Sequence, residues 1–197
     1  MEFKKIQLNG FKSFAEKTNF LIEDGLTGIV GPNGCGKSNI VESLRWVMGE
    51  TSAKSMRGSG MEDVIFSGTS NKASKNIAEV SIEVENKDKE GPIQYRETEQ
   101  IQVRRKIEKD KGSKFYINDK EVRARDAQMF FADLSTGAHS PSMISQGRIG
   151  ALVTAKPTDR RAILEEAAGI SGLHVRRHEA ELRSVSYTHL TLPTNKA

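Results

Sequence analysis

Gly31-Pro32-Asn33-Gly34-Cys35-Gly36-Lys37-Ser38 is a glycine-rich octapeptide that ends in Lys-Ser. It follows the spacing G-x-x-x-x-G-K-[ST], which arises by chance in under about one per cent of chains this long. The flanks match the context that spacing requires. Leu26-Thr27-Gly28-Ile29-Val30 before it is a continuous run that predicts a fully buried strand. After it, Ser38 to Met48 follows a helical period, with Ile40, Leu44 and Val47 on one face, Val41 and Met48 beside it, and Gly49 as the stop. A strand, a glycine-rich loop and a helix in that order make an anion cradle. Glycines let successive N–H groups turn inward toward phosphate oxygens, and the helix N-terminus adds partial positive charge. Lys37 is placed to reach the β- and γ-phosphates of a nucleotide, and the Ser38 hydroxyl to ligate Mg²⁺. Gly31, Pro32, Asn33, Gly34, Cys35, Gly36, Lys37, Ser38 and the adjoining Asn39 are the candidate nucleotide-binding residues, for ATP with Mg²⁺.

Around this core, Phe3, Ile6, Leu8 and Phe11 mark a strand that Gly10 interrupts, and Phe20-Leu21-Ile22 a second. Thr51 to Lys75 is rich in Ser, Gly and Lys and predicts loops around a short Val64-Ile65-Phe66 strand. Ala78, Val80, Ile82 and Val84 alternate with Glu79, Ser81, Glu83 and Glu85, the pattern of a strand with one face in water. Ile101 and Val103, then Phe115 to Ile117, predict further antiparallel strands. Arg123 to Leu134 reads as a helix, and a last helix runs from Pro157 to about Arg183.

The 197 residues carry 30 Lys plus Arg against 26 Asp plus Glu. Arg104 to Arg125 alone holds nine basic against four acidic residues. That patch fits either a polyanion footprint or a solvated hairpin, and charge alone favours the hairpin. No apolar run approaches the ~18 residues that a membrane span needs. The amino terminus lacks the apolar stretch of a secretory signal, and the single Cys35 excludes an internal disulfide, so a cytoplasmic setting is expected. Val185 to Ala197 has no acidic residue and abruptly ends the charged helical pattern, as a non-native tail would.

Seven segments in order carry a family resemblance: Gly10 to Phe14, Gly31 to Asn39, Leu44 to Glu50, Ser55 to Gly58, Met61 to Gly68, Ser145 to Ile149, and Glu165 to Ile170. Together they closely resemble the amino-terminal half of the ATPase head of bacterial SMC (structural maintenance of chromosomes) proteins. The resemblance implies an α/β fold: a P-loop NTPase of the ABC-type head, with a mixed sheet, an antiparallel β subdomain and the root of a coiled coil. It implies a half-head over residues 1–157, the start of a coiled-coil helix over 158–184, and a tail from 185 to 197. Gln146 falls at the family's Q-loop position, implying a Mg²⁺ ligand that also positions the attacking water. Arg57 falls at its R-loop, linked to DNA-dependent hydrolysis, and Lys12 and Ser13 on a loop close to the nucleotide.

The resemblance also implies non-specific contact with double-stranded DNA, for which Arg104, Arg105, Lys106, Lys109, Lys111, Lys114, Arg176 and Arg177 are candidates. It implies a homodimer joined through a hinge and through heads that sandwich ATP, a kleisin-type subunit, and a nucleoid-associated place in the cytoplasm. The signature motif and Walker B pair belong to the carboxy-terminal half-head, so this segment alone is expected to hydrolyse almost no ATP. Leu134 to Ala138 and Met129 to Asp133 superficially resemble those two motifs. The first lacks the following Gly-Gly pair and the second lacks a catalytic Glu after Asp133. A RecF-like or RecN-like repair ATPase is the nearest alternative. A small-molecule kinase would need a Walker B Asp and an acceptor pocket, and neither is evident.

Overall fold

The computed structural model describes residues 1–87, 89, 92–134, 150, 153–168 and the single positions 177, 180, 181 and 184. The chain forms two compact units, residues 1–139 and 140–197.

The first unit is built on a six-stranded sheet. Its strands are β1 (Glu2–Asn9), β2 (Thr18–Leu21), β3 (Ile77–Glu85), β4 (Gln100–Glu108), β5 (Gly112–Ile117) and β6 (Lys120–Val122). They lie in the order β2-β1-β3-β4-β5-β6. Every pairing is antiparallel. The alternation read from β3 holds through the sheet because the register aligns apolar residues across strands. Ile6 pairs with Ile82 and Leu8 with Val80; Ile82 pairs with Val103 and Val103 with Ile117. All of these are buried. Glu79, Glu83, Arg104 and Lys106 occupy the opposite face.

Two helices cover the apolar face. Helix α1 (Lys37–Val47) contacts β3 and β4, and α2 (Ala124–Asp133) contacts β5. In α1 the buried stripe is Ile40, Ser43, Trp46 and Val47, with Leu44 only half-buried, so the helix is turned from the face expected. Trp46 sets that rotation: its indole is fully buried, with the Phe11 ring 5.5 Å away and the Arg105 guanidinium 4.5 Å above it. The largest apolar surface claims the centre of the core. Met129 to Asp133 lies within α2, so it is helix and not a Walker B strand.

Three expectations change. Leu26 to Val30 forms no strand; Leu26 is 100% and Val30 94% exposed. A strand needs neighbours to accept and donate its backbone hydrogen bonds, and the described residues supply none beside it. Only the antiparallel part of the anticipated mixed sheet is therefore present among the described residues. Val64 to Phe66 is likewise no strand: Met61–Val64 is a 3₁₀ turn, and Ile65 makes a single bridge to Phe11.

In the second unit, helix α3 spans Pro157–Ala167. It begins at Pro157 as the sequence predicts, and Arg160 donates to the carbonyls of Ala155 and Val153 just ahead of it. The residues expected to carry it as a coil root to Arg183 lie largely outside the described residues, as does the tail.

Candidate functional site: a phosphate loop beside a buried carboxylate

Gly36 ends the loop and caps α1 with φ +96°, a conformation in which a side chain is strained. A Cβ there would also lie 2.5 Å from Ser13 Oγ. Glycine at this position thus lets the Ser13 turn pack against the loop. That turn depends in the same way on Gly10, with φ +64° and Ile77 O 2.2 Å from where a Cβ would stand.

The Lys37 ammonium folds back over the loop. It donates to Gly31 O at 2.6 Å and Pro32 O at 2.5 Å, and lies 3.8 Å from Cys35 Sγ. Ser38 is exposed at the helix start, and Cys35 is exposed beside it.

A continuous polar network leads away from the loop. Asn39 Nδ2 donates to Ser13 Oγ at 2.9 Å, and Arg57 donates through Nη2 to Asn39 Oδ1 at 3.1 Å. Arg57 Nε also pairs with Glu42, and Lys12 Nζ pairs with the other oxygen of the same carboxylate. Lys12 further donates to Met56 O at 2.5 Å. The 3₁₀ turn Lys54–Met56 presents Arg57, and buried Met56 anchors it. Asp63 closes the loop beyond by accepting from the N–H of Gly60 and from the N–H and hydroxyl of Ser59. Those bonds, the Gly60 amide first, hold the Asp63 carboxyl below the usual aspartate range.

The structure therefore brings Lys12, Ser13, Asn39 and Arg57 together next to Gly36. Glu42, which joins two of them, escaped the sequence reading. Its signal was a carboxylate that helical spacing puts close behind the loop, within one turn of buried Ile40 and Ser43. Gln146 and Arg176 lie outside the described residues.

The basic patch needs one correction. Arg105 is an inward residue of β4, only 3% exposed. Its guanidinium sits between Trp46 and Phe115, 4.5 Å and 4.6 Å from the ring centres. It donates to Trp46 O, Glu50 O and Ser113 Oγ, each at 2.7 Å. It satisfies carbonyls at the C-terminal end of α1 and cannot reach a surface polyanion. Burial pushes its pKa down, to about 10, against the pull of the Glu50 carboxylate.

Arg104 is outward but committed, to Asp119 at 2.9 Å, Glu79 at 3.6 Å and the Tyr116 ring at 4.6 Å. Lys111 pairs with Glu108 at 2.6 Å and Lys114 with Glu121 at 3.0 Å. Such exposed pairs are worth about 0–1 kcal/mol and exchange readily. Lys106 faces Lys114 across the ladder, and Lys109 is exposed in the intervening turn. The basic surface is thus concentrated at the β4–β5 hairpin end. In the second unit, Arg177 pairs with Glu181 at 2.8 Å.

A glycine loop that opens a helix beside an antiparallel sheet fits the P-loop head of the ABC type, the class to which the similar solved structures belong. The family model described as RecF/RecN/SMC N terminal domain matches residues 2–148. The chain belongs to that family, and its matches lie with the amino-terminal half of an SMC ATPase head. It is 57% identical over 183 residues to the chromosome partition protein Smc of Cereibacter sphaeroides, covering 93% of this chain and 16% of that protein. It is 53% identical over 192 residues to the Smc of Rhodopseudomonas palustris, covering 97% of this chain and 17% of the relative. The chain thus spans about one sixth of the length of these curated relatives. Among solved structures, one from work on ATP-driven dimerization and DNA-stimulated activation of SMC ATPases superposes with a TM-score of 0.72 at 31% identity. That match covers 85% of this chain and 99% of the other. The Pyrococcus furiosus Smc head with an extended coiled coil, bound to the C-terminal domain of ScpA, gives 0.78 at 30% identity, covering 94% and 47%.

Proposed function

We propose that this chain is the ATP-binding half of the head of a DNA-binding ATPase of chromosome condensation and segregation. The observation that carries the reading is the Gly31–Ser38 loop, closed by Gly36 against Ser13 and leading directly into α1. A triphosphate is bound by the loop amides and the start of α1, and it exchanges the Gly31 and Pro32 carbonyls for its own oxygens as partners of Lys37. Mg²⁺ suits the donors present. The exposed Ser38 hydroxyl is a hard oxygen, and no cluster of three His, Cys, Asp or Glu among the described residues competes as a protein cage. Such an ion takes most of its ligands from phosphate and water, with Gln146 proposed as a further one.

The other half of the pocket comes from the carboxy-terminal half-head. The exposed apolar run at Leu26, Ile29 and Val30 supports this, because it is a strand sequence lacking its neighbours. ATP binding then joins two such heads of a homodimer, hydrolysis releases them, and α3 leads the change into the coil. A kleisin-type subunit is a proposed partner, since solved Smc heads are seen with ScpA. DNA is met without sequence preference by Arg104, Lys106, Lys109, Lys111 and Lys114, with Arg176 and Arg177 as further proposed contacts.

The test is reconstitution. The chain alone is expected to hydrolyse almost no ATP, and the chain joined with its carboxy-terminal half-head is expected to hydrolyse it, faster with DNA present. Robust turnover by the isolated chain, or none by the completed head, contradicts the reading.

A further inference from the structure

The pairing at Glu42 is asymmetric. Its carboxylate is 11% exposed and holds two cations, one on each oxygen. Lys12 is 14% exposed and is fixed a second time by Met56 O, whereas Arg57 is 58% exposed. Lys12 and Arg57 are also both non-glycine residues in left-handed backbone, at φ +46° and +54°. Such conformations persist only where the surroundings hold them, and they gather at switch regions. Lys12 is thus the fixed partner of Glu42, and Arg57 is the exchangeable one. Arg57 is linked to the phosphate loop through Asn39 and Ser13, which stands against Gly36.

We propose that Glu42 is a positioning residue that holds Arg57 in the nucleotide-free head as a stand-in for phosphate, and yields it to the triphosphate when MgATP enters the loop. The inference rests on the nucleotide reading above and adds a brake to it. Part of the binding energy of ATP goes to parting Arg57 from Glu42, so the arginine reports nucleotide occupancy to whatever the Lys54–Met56 turn touches.

The experiment measures the MgATP dissociation constant of the completed head by calorimetry in four proteins: wild type, Glu42→Gln, Arg57→Ala and the double variant. Glu42→Gln should bind MgATP about fivefold more tightly, the worth of one partly exposed ion pair. The gain should vanish when Arg57 is already Ala. A merely structural role would loosen binding in both backgrounds. Glu42→Asp, which keeps a charge for Lys12 but shortens the reach to Arg57, should move in the same direction and serves if Glu42→Gln does not fold. Unchanged or weaker binding in these variants, or an equal gain without Arg57, overturns the inference while leaving the nucleotide site standing. Failure of the wild type to bind MgATP overturns both.

Discussion

Replacing Lys37 by Ala is expected to weaken MgATP binding by the completed head at least ~100-fold. A lysine bonded to phosphate oxygens makes charge-assisted hydrogen bonds of about 1.5–3 kcal/mol each. Losing the equivalent of two removes roughly 3 kcal/mol, which is about two decades in dissociation constant. The fold should not notice. Lys37 donates only to acceptors on exposed loop residues, the Gly31 and Pro32 carbonyls and Cys35 Sγ, so no buried acceptor is orphaned. Isothermal titration calorimetry and a thermal melt on the same sample separate the two effects. Lost binding with an unshifted melt fits this role. Retained binding contradicts it.

Arg105→Ala should do the reverse, destabilising the head while leaving the contacts of the loop itself intact. The substitution removes a guanidinium stacked between Trp46 and Phe115 together with its hydrogen bonds to the Trp46 and Glu50 carbonyls, while Trp46 O still accepts from the Gly49 N–H. A hydrogen bond from a charged donor is worth about 1.5–3 kcal/mol, and the lost stacking and packing add to it. A total of ~4 kcal/mol would lower the melting temperature by roughly 10 °C in a domain of this size. Arg105→Met keeps the aliphatic stem and should recover part of the loss. A melt within a degree of wild type for Arg105→Ala would mean that the end of α1 does not depend on this side chain.

That residue also shows how far the sequence could be read. Strict alternation places Ile101, Val103, Arg105 and Ile107 on one face of β4, and the structure buries all four. The parity needed to move Arg105 out of the basic surface was there, but a charge count has no sense of faces. The β3 and β4 strands were legible for the same reason, since a period of two survives any tertiary context that covers one side. Leu26 to Val30 failed in the opposite way. Its composition states that it wants burial and says nothing of whether the burying partner is in the same chain. The phosphate loop was legible because its spacing encodes backbone geometry directly, as φ +96° at Gly36 shows. Glu42 was not, because its meaning comes from Lys12 and Arg57, thirty residues before it and fifteen after, which only the fold brings together.

Nucleotide occupancy of the loop can be read at Cys35, whose exposed thiol lies inside the loop and 3.8 Å from the Lys37 ammonium. Alkylation at Cys35 in the completed head can be followed by peptide mass spectrometry, with and without MgATP. Saturating MgATP should slow modification at this residue at least ~10-fold, and prior alkylation should block nucleotide binding by bulk. Equal modification rates with and without MgATP, together with full ATP binding by the alkylated protein, would place the nucleotide elsewhere and end the account.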